Sequence, residues 1–142
     1  VRRAHEQIQV YYQPVYDTTG TTVAGLEALV RWMHPSLGLL SPDQFIPLAE
    51  ERGLITALGQ IVLRQACDVL RKTHLPWVAV NVSPLQLREA RFVEQFLEIV
   101  RSSGIAPERI QVEITEGMLV EEFQETNALL DRLRLMRVRR LG

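Results

Sequence analysis

The hexapeptide Trp77-Val78-Ala79-Val80-Asn81-Val82 constrains this chain more than any other segment. An apolar run this short and continuous marks a strand covered on both faces, as in a parallel sheet. Parallel neighbours cannot be joined by a tight turn, so long crossovers, usually helices, must separate such a strand from its partners. The flanking sequence supplies them. Upstream, Leu58, Ile61, Val62, Ala66, Val69 and Leu70 recur at helical spacing over roughly residues 55–72, and Leu75-Pro76 breaks that helix. Downstream, Phe92, Val93, Phe96, Leu97 and Val100 mark a second amphipathic helix that Gly104 ends, and Pro107 sits in the turn before the next strand. That strand, residues 110–115, alternates Ile110, Val112 and Ile114 on one face with Gln111, Glu113 and Thr115 on the other.

The N-terminal third reads as a hairpin. Residues 8–16 alternate as a strand, with Pro14 placing it at an edge or an end, and Asp17-Thr18-Thr19-Gly20 is a turn. A second strand over 22–32 puts Leu26, Ala28, Val30 and Trp32 on one face and Glu27, Leu29 and Arg31 on the other. Ser41-Pro42-Asp43-Gln44 is a helix start with a capping box, closed by Gly53, and Ser83-Pro84-Leu85-Gln86 repeats the start signal. A last helix is expected from Glu121 to Met136. The order ββ, α, α, β, α, β, α predicts an α/β fold with parallel pairing, either an open sheet or part of a (β/α)8 barrel. A complete barrel takes ~250 residues, whereas this chain has 142. Four strands are clear, with the start of a fifth at Val138, so residues 1–142 are read as one domain, the N-terminal half of a barrel. Val1 in place of an initiator methionine leads us to expect a piece of a longer protein.

Composition excludes several roles. Sixteen basic against seventeen acidic side chains give a formal charge of -1, too balanced for the field that binds nucleic acid or an anionic membrane. No stretch approaches the ~18 apolar residues of a membrane span. Cys67 is the only cysteine, so neither an intrachain disulfide nor a cysteine zinc site is possible, and a reducing, cytoplasmic setting is expected. His5, His34 and His74 show no ligand spacing, and Cys67 on an apolar helix face reads as core filling.

Three polar groups lie near the C-terminal ends of predicted strands, where barrel active sites are built: Glu27, Asn81 and Glu113. Two carboxylates and an amide oxygen are the hard donors that Mg²⁺ or Mn²⁺ prefers. Arg31 shares the face of Glu27, roughly 13 Å further along the strand, within reach of a phosphate that the ion also touches. Leu29 lies between them. Each residue also has a plainer reading: a lone strand Glu is usually solvated, and Asn81 is equally a structural hydrogen-bond hub.

Tyr12-Gln13-Pro14, Glu27-Ala28-Leu29-Val30-Arg31-Trp32, His34-Pro35, the segment from Ser41 to Glu50, Asn81-Val82-Ser83 and Glu113-Ile114-Thr115-Glu116 stand in one order. In this the chain resembles the bacterial EAL domain over nearly its whole length. The resemblance implies a barrel phosphodiesterase that opens cyclic di-GMP to linear pGpG with two divalent ions, often fused to a GGDEF or sensor domain. It implies Glu27, Asn81 and Glu113 as metal ligands, and Gln13, Leu29 and Arg31 as nucleotide contacts. The chain departs from the family at its end, where Arg137 replaces a small residue and the following Asp-Asp-Phe-Gly, lysine and glutamate do not occur. No complete catalytic set is therefore expected in these residues, and the chain alone is expected to be inactive. The alternative reading is a non-catalytic module that binds the nucleotide or a partner. A half barrel is further expected to expose Val112, Ile114 and the run around Val80, and to self-associate through them.

Overall fold

The computed structural model describes residues 7–115 and 137–141. Six strands form one sheet: β1 (Ile8–Tyr16), β2 (Val23–His34), β3 (Gly38–Leu40), β4 (Trp77–Asn81), β5 (Ile110–Thr115) and β6 (Arg137–Leu141). Among the described residues four α-helices accompany them: α1 (Pro42–Glu51), α2 (Ile55–Lys72), α3 (Pro84–Arg88) and α4 (Phe92–Ser102). The sheet order is β1-β2-β4-β5-β6, with β3 paired to β2. β1 runs antiparallel to β2, whereas β2–β4, β4–β5 and β5–β6 are parallel. This is the α/β partial barrel expected from the sequence, with β3, α3 and a full β6 added. The expected Glu121–Met136 helix, and Glu116, fall outside the described residues.

Local chemistry explains the helix starts. At α1, Gln44 Oε1 accepts from the Ser41 backbone N–H at 3.0 Å. At α3 the exchange is reciprocal: Gln86 Oε1 accepts from the Ser83 N–H at 2.9 Å, and the Gln86 N–H donates to Ser83 Oγ at 3.3 Å. Such caps contribute about 1 kcal/mol each. Gly53 ends the turn after α1 at a φ of 72°, a left-handed conformation that other residues adopt at a cost. At the far end of the sheet, Arg109 donates to the carbonyls of Leu75 at 2.7 Å and Leu70 at 3.2 Å, fastening the α2–β4 connection to the start of β5.

The core lies between the sheet and α2, α3 and α4. Ala28, Val78, Val80, Ile110, Val112 and Ile114 meet Leu63, Ala66, Cys67 and Leu70 of α2 and Phe96 and Val100 of α4. This corrects the expectation that Val80, Val112 and Ile114 are bared by a half barrel, because all three are buried, at 3%, 0% and 0% exposure. Alternation is the reason. The apolar parity of each strand turns outward to the helices, and the opposite parity, which carries the polar groups, faces the concave side. Those three residues accordingly give no route to self-association. A smaller cluster of Phe45, Ile55 and Leu58 packs with Ile8 and Trp32 beside the main core.

Candidate active site

Strand register gives the concave face its rows. Gln13 of β1 pairs with Glu27 of β2, Glu27 pairs with Ala79 of β4, and Ala79 pairs with Gln111 of β5. Partners in register share a face, so these four side chains form one row. One step toward the C-terminal ends of the parallel strands, Asn81 pairs with Glu113, while Leu29 stands two residues beyond Glu27 and pairs with Tyr11. Glu27, Asn81 and Glu113 therefore rise from the same face. Glu27 sits one row lower than the other two, about 7–8 Å diagonally from Asn81. A row lower still, Gly25 pairs with Trp77 and the indole covers Gly25. Together they make an apolar floor beneath the polar groups.

Environment separates the candidates. Glu113 is 2% exposed, Glu27 is half-buried, and Asn81 at the end of its strand is exposed. Leu29, Asn81 and Glu113 line one cleft of about 310 Å³, together with Pro42, Glu50 and Gln86. Gln13, Glu27 and Arg31 share the sheet face but not that lining. Gln13 is exposed on β1, and Arg31 Nη1 donates to the carbonyl of Val30 at 2.8 Å. Among the described residues no three His, Cys, Asp or Glu side chains gather as a metal site. The oxygen donors present, two carboxylates and an amide on one face, fit part of the coordination sphere of a hard divalent ion.

Two residues near the site, Gln86 and Gln111, were read in the sequence only as parts of their elements, and Tyr12 only as part of a motif. Gln86, 6% exposed, caps α3 and lines the cleft at once, and Gly59 of α2 leaves room for its amide: a Cβ there would lie 2.0 Å from Gln86 Nε2. Gln111, 4% exposed, lies in the row of Glu27; alternation already gave the face it shares with Glu113, but not that row. Tyr12 lies on the opposite, helix-facing side, where burial and then the neighbouring Cys67 thiolate push its pKa from 10.0 up to about 12. Its hydroxyl is buried with no hydrogen-bond partner among the described residues. Burial also raises the Cys67 thiol, against smaller lowering contributions from Ser103 and Arg71. Both groups belong to the core rather than to the site.

The family model described as "EAL domain" matches residues 1–140. The chain belongs to the EAL domain family. It is 41% identical over 134 residues to the cyclic di-GMP phosphodiesterase NbdA of Pseudomonas aeruginosa, matching 91% of this chain and 17% of that protein. It is 42% identical over 137 residues to an uncharacterized signaling protein of Caulobacter vibrioides, matching 96% of this chain and again 17% of the relative. Among solved EAL structures, the PaMucR phosphodiesterase in complex with c-di-GMP superposes with a TM-score of 0.84 at 34% identity, over 91% of this chain and 54% of that one. The FimX EAL domain of Pseudomonas aeruginosa bound to c-di-GMP reaches 0.85 at 18% identity, over 95% and 56%, a likeness of fold. The chain thus spans about a sixth of these curated relatives and about half of these solved chains. No helix among the described residues is long and apolar enough to cross a membrane.

Proposed function

We propose that this chain supplies the nucleotide-binding and first metal-binding half of an EAL-type cyclic di-GMP phosphodiesterase, acting in the bacterial cytoplasm within a longer signalling protein that carries a GGDEF or sensor domain. The observation that carries this reading is the common face of Glu27, Asn81 and Glu113 on adjacent parallel strands. The relative with a bound c-di-GMP, 34% identical, supports the choice of ligand.

In this reading Glu27, Asn81 and Glu113 hold Mg²⁺ or Mn²⁺ with their side-chain oxygens. Bound there, the ion supplies an activated water and a counter-charge for the phosphodiester. The chain's own residues do the rest. Arg31, released from the Val30 carbonyl, clamps a non-bridging phosphate oxygen, and Leu29 packs against the nucleotide from the cleft wall. Gln13, at the outer end of the Glu27 row, offers an amide to the nucleotide's polar edge. The Trp77–Gly25 floor keeps water from beneath the carboxylates, where a lower dielectric strengthens their hold on a cation.

The second reading is a non-catalytic cyclic di-GMP-binding module, favoured by the placement of Gln13, Leu29 and Arg31 on one face of the β1–β2 pair. Calorimetry with cyclic di-GMP, with and without Mn²⁺, together with chromatography for pGpG, tests both. We expect nucleotide binding that Mn²⁺ strengthens and that Arg31→Ala weakens at least tenfold, with turnover by this chain alone more than ~10³-fold below that of a complete domain, a barrier difference of about 4 kcal/mol. No binding with or without Mn²⁺ contradicts the reading. Binding with full turnover removes the non-catalytic alternative.

A further inference from the structure

The Gln111 side chain is 4% exposed, and its Oε1 is buried with no hydrogen-bond partner among the described residues. Burying a carbonyl oxygen without a partner is costly, and folded proteins leave few such groups unless a ligand, ion or water satisfies them. Its place on the sheet indicates what could do so. Gln111 pairs with Ala79, Ala79 pairs with Glu27, and the next residues on this face of β4 and β5 are Asn81 and Glu113, themselves paired. Ala79 thus stands in one row between Glu27 and Gln111, with Asn81 and Glu113 as the next pair along the strands, so the four polar residues flank a position whose side chain is a single methyl group. Three of the four are the oxygen donors assigned above to a divalent ion, and the fourth is an amide oxygen of the same chemical hardness as that of Asn81.

We propose that Gln111 Oε1 is a fourth oxygen directed at the coordination sphere of that ion, satisfied when the ion or a water it carries is present. The inference rests on the metal-binding reading above. It makes Gln111 a positioning residue for the ion on the side of Ala79 opposite Glu27. The amide carries no charge, so it adds an oxygen without adding repulsion between Glu27 and Glu113.

The test is titration of the 142-residue chain with Mn²⁺, free ion being read by electron paramagnetic resonance, alongside melting of the ion-free protein. Gln111→Leu is expected to lose about tenfold in Mn²⁺ affinity while the ion-free protein melts at the same temperature or higher, since a buried unpaired acceptor has been removed. Gln111→Glu, which keeps an oxygen at the same reach, is expected to bind Mn²⁺ at least as tightly as the parent. That variant keeps the test decisive where the leucine variant fails to fold. Unchanged affinity in Gln111→Leu, or weakened affinity in Gln111→Glu, overturns the proposal. Glu27→Gln separates the two readings: if it abolishes Mn²⁺ binding while Gln111→Leu does not, the site stands and Gln111 has no part in it. If the parent chain binds no Mn²⁺ at all, both readings fall.

Discussion

The indole of Trp77 lies across Gly25, so closely that a Cβ on Gly25 would fall 2.3 Å from Trp77 Cδ2. The two residues are register partners on neighbouring parallel strands, one row below Glu27 and Ala79. The missing side chain at position 25 is what lets the ring lie flat and close the floor of the concave face. Gly25→Ala is therefore expected to destabilise the fold by about 1–3 kcal/mol, as overpacking of a filled interior does, and to shift the near-ultraviolet circular dichroism of the displaced indole. Urea denaturation measures the first. A change below about 0.5 kcal/mol would mean that the ring has freedom to move aside.

Val112 faces the helices and not the concave side, and its energetics should say so. It is 0% exposed within the cluster formed with α2 and α4. Val112→Ala is expected to cost about 2 kcal/mol by lost burial and a residual cavity. An exposed edge position would show about 0.5 kcal/mol or less in the same denaturation experiment.

The Tyr12 hydroxyl predicts a pH dependence. Its pKa in the folded chain is about 12 against an ordinary 10.0, so the folded state holds the phenolic proton more tightly than the unfolded state does. The stability associated with that tighter hold is fully present below pH 10 and is lost as pH rises through about 12. Tyr12→Phe is expected to flatten this part of the stability profile, because phenylalanine does not titrate. It is also expected to leave stability at pH 7 unchanged or up to about 1 kcal/mol higher, since it removes a buried hydroxyl that has no partner among the described residues. Guanidinium melts at pH 8, 10 and 11 measure both effects. Parallel profiles for the two proteins would show that the hydroxyl reaches water.

Much of this architecture was legible in the sequence because alternation and capping are local properties. The strands at Ile8–Tyr16 and Ile110–Thr115 and the helix at Ile55–Lys72 stand where the hydrophobic spacing put them. β3 escaped notice because the three residues Gly38, Leu39 and Leu40 are too few to display a period. The face shared by Glu27, Leu29 and Arg31 follows from parity within one strand. The offset of Glu27 one row below Asn81 and Glu113 does not, since register between parallel strands is fixed by crossover packing that no local pattern encodes. The same gap explains the misplaced Val80, Val112 and Ile114. Parity put Val112 and Ile114 on one face of their strand, but only the seating of α2 and α4 shows which face that is and that Val80 joins it.

The central claim is that Glu27 and Glu113, on strands separated by β4, act on one ion, and a double-mutant cycle on Mn²⁺ affinity tests it most directly. Glu27→Gln, Glu113→Gln and the double variant are titrated with Mn²⁺ and the free ion is followed by electron paramagnetic resonance. Groups that share a ligand couple, so each single change is expected to weaken binding at least tenfold, and the double variant to lose less than the sum of the two, with a coupling energy of about 1 kcal/mol or more. Additive losses within about 0.3–0.5 kcal/mol would place the two carboxylates on separate sites and contradict the account.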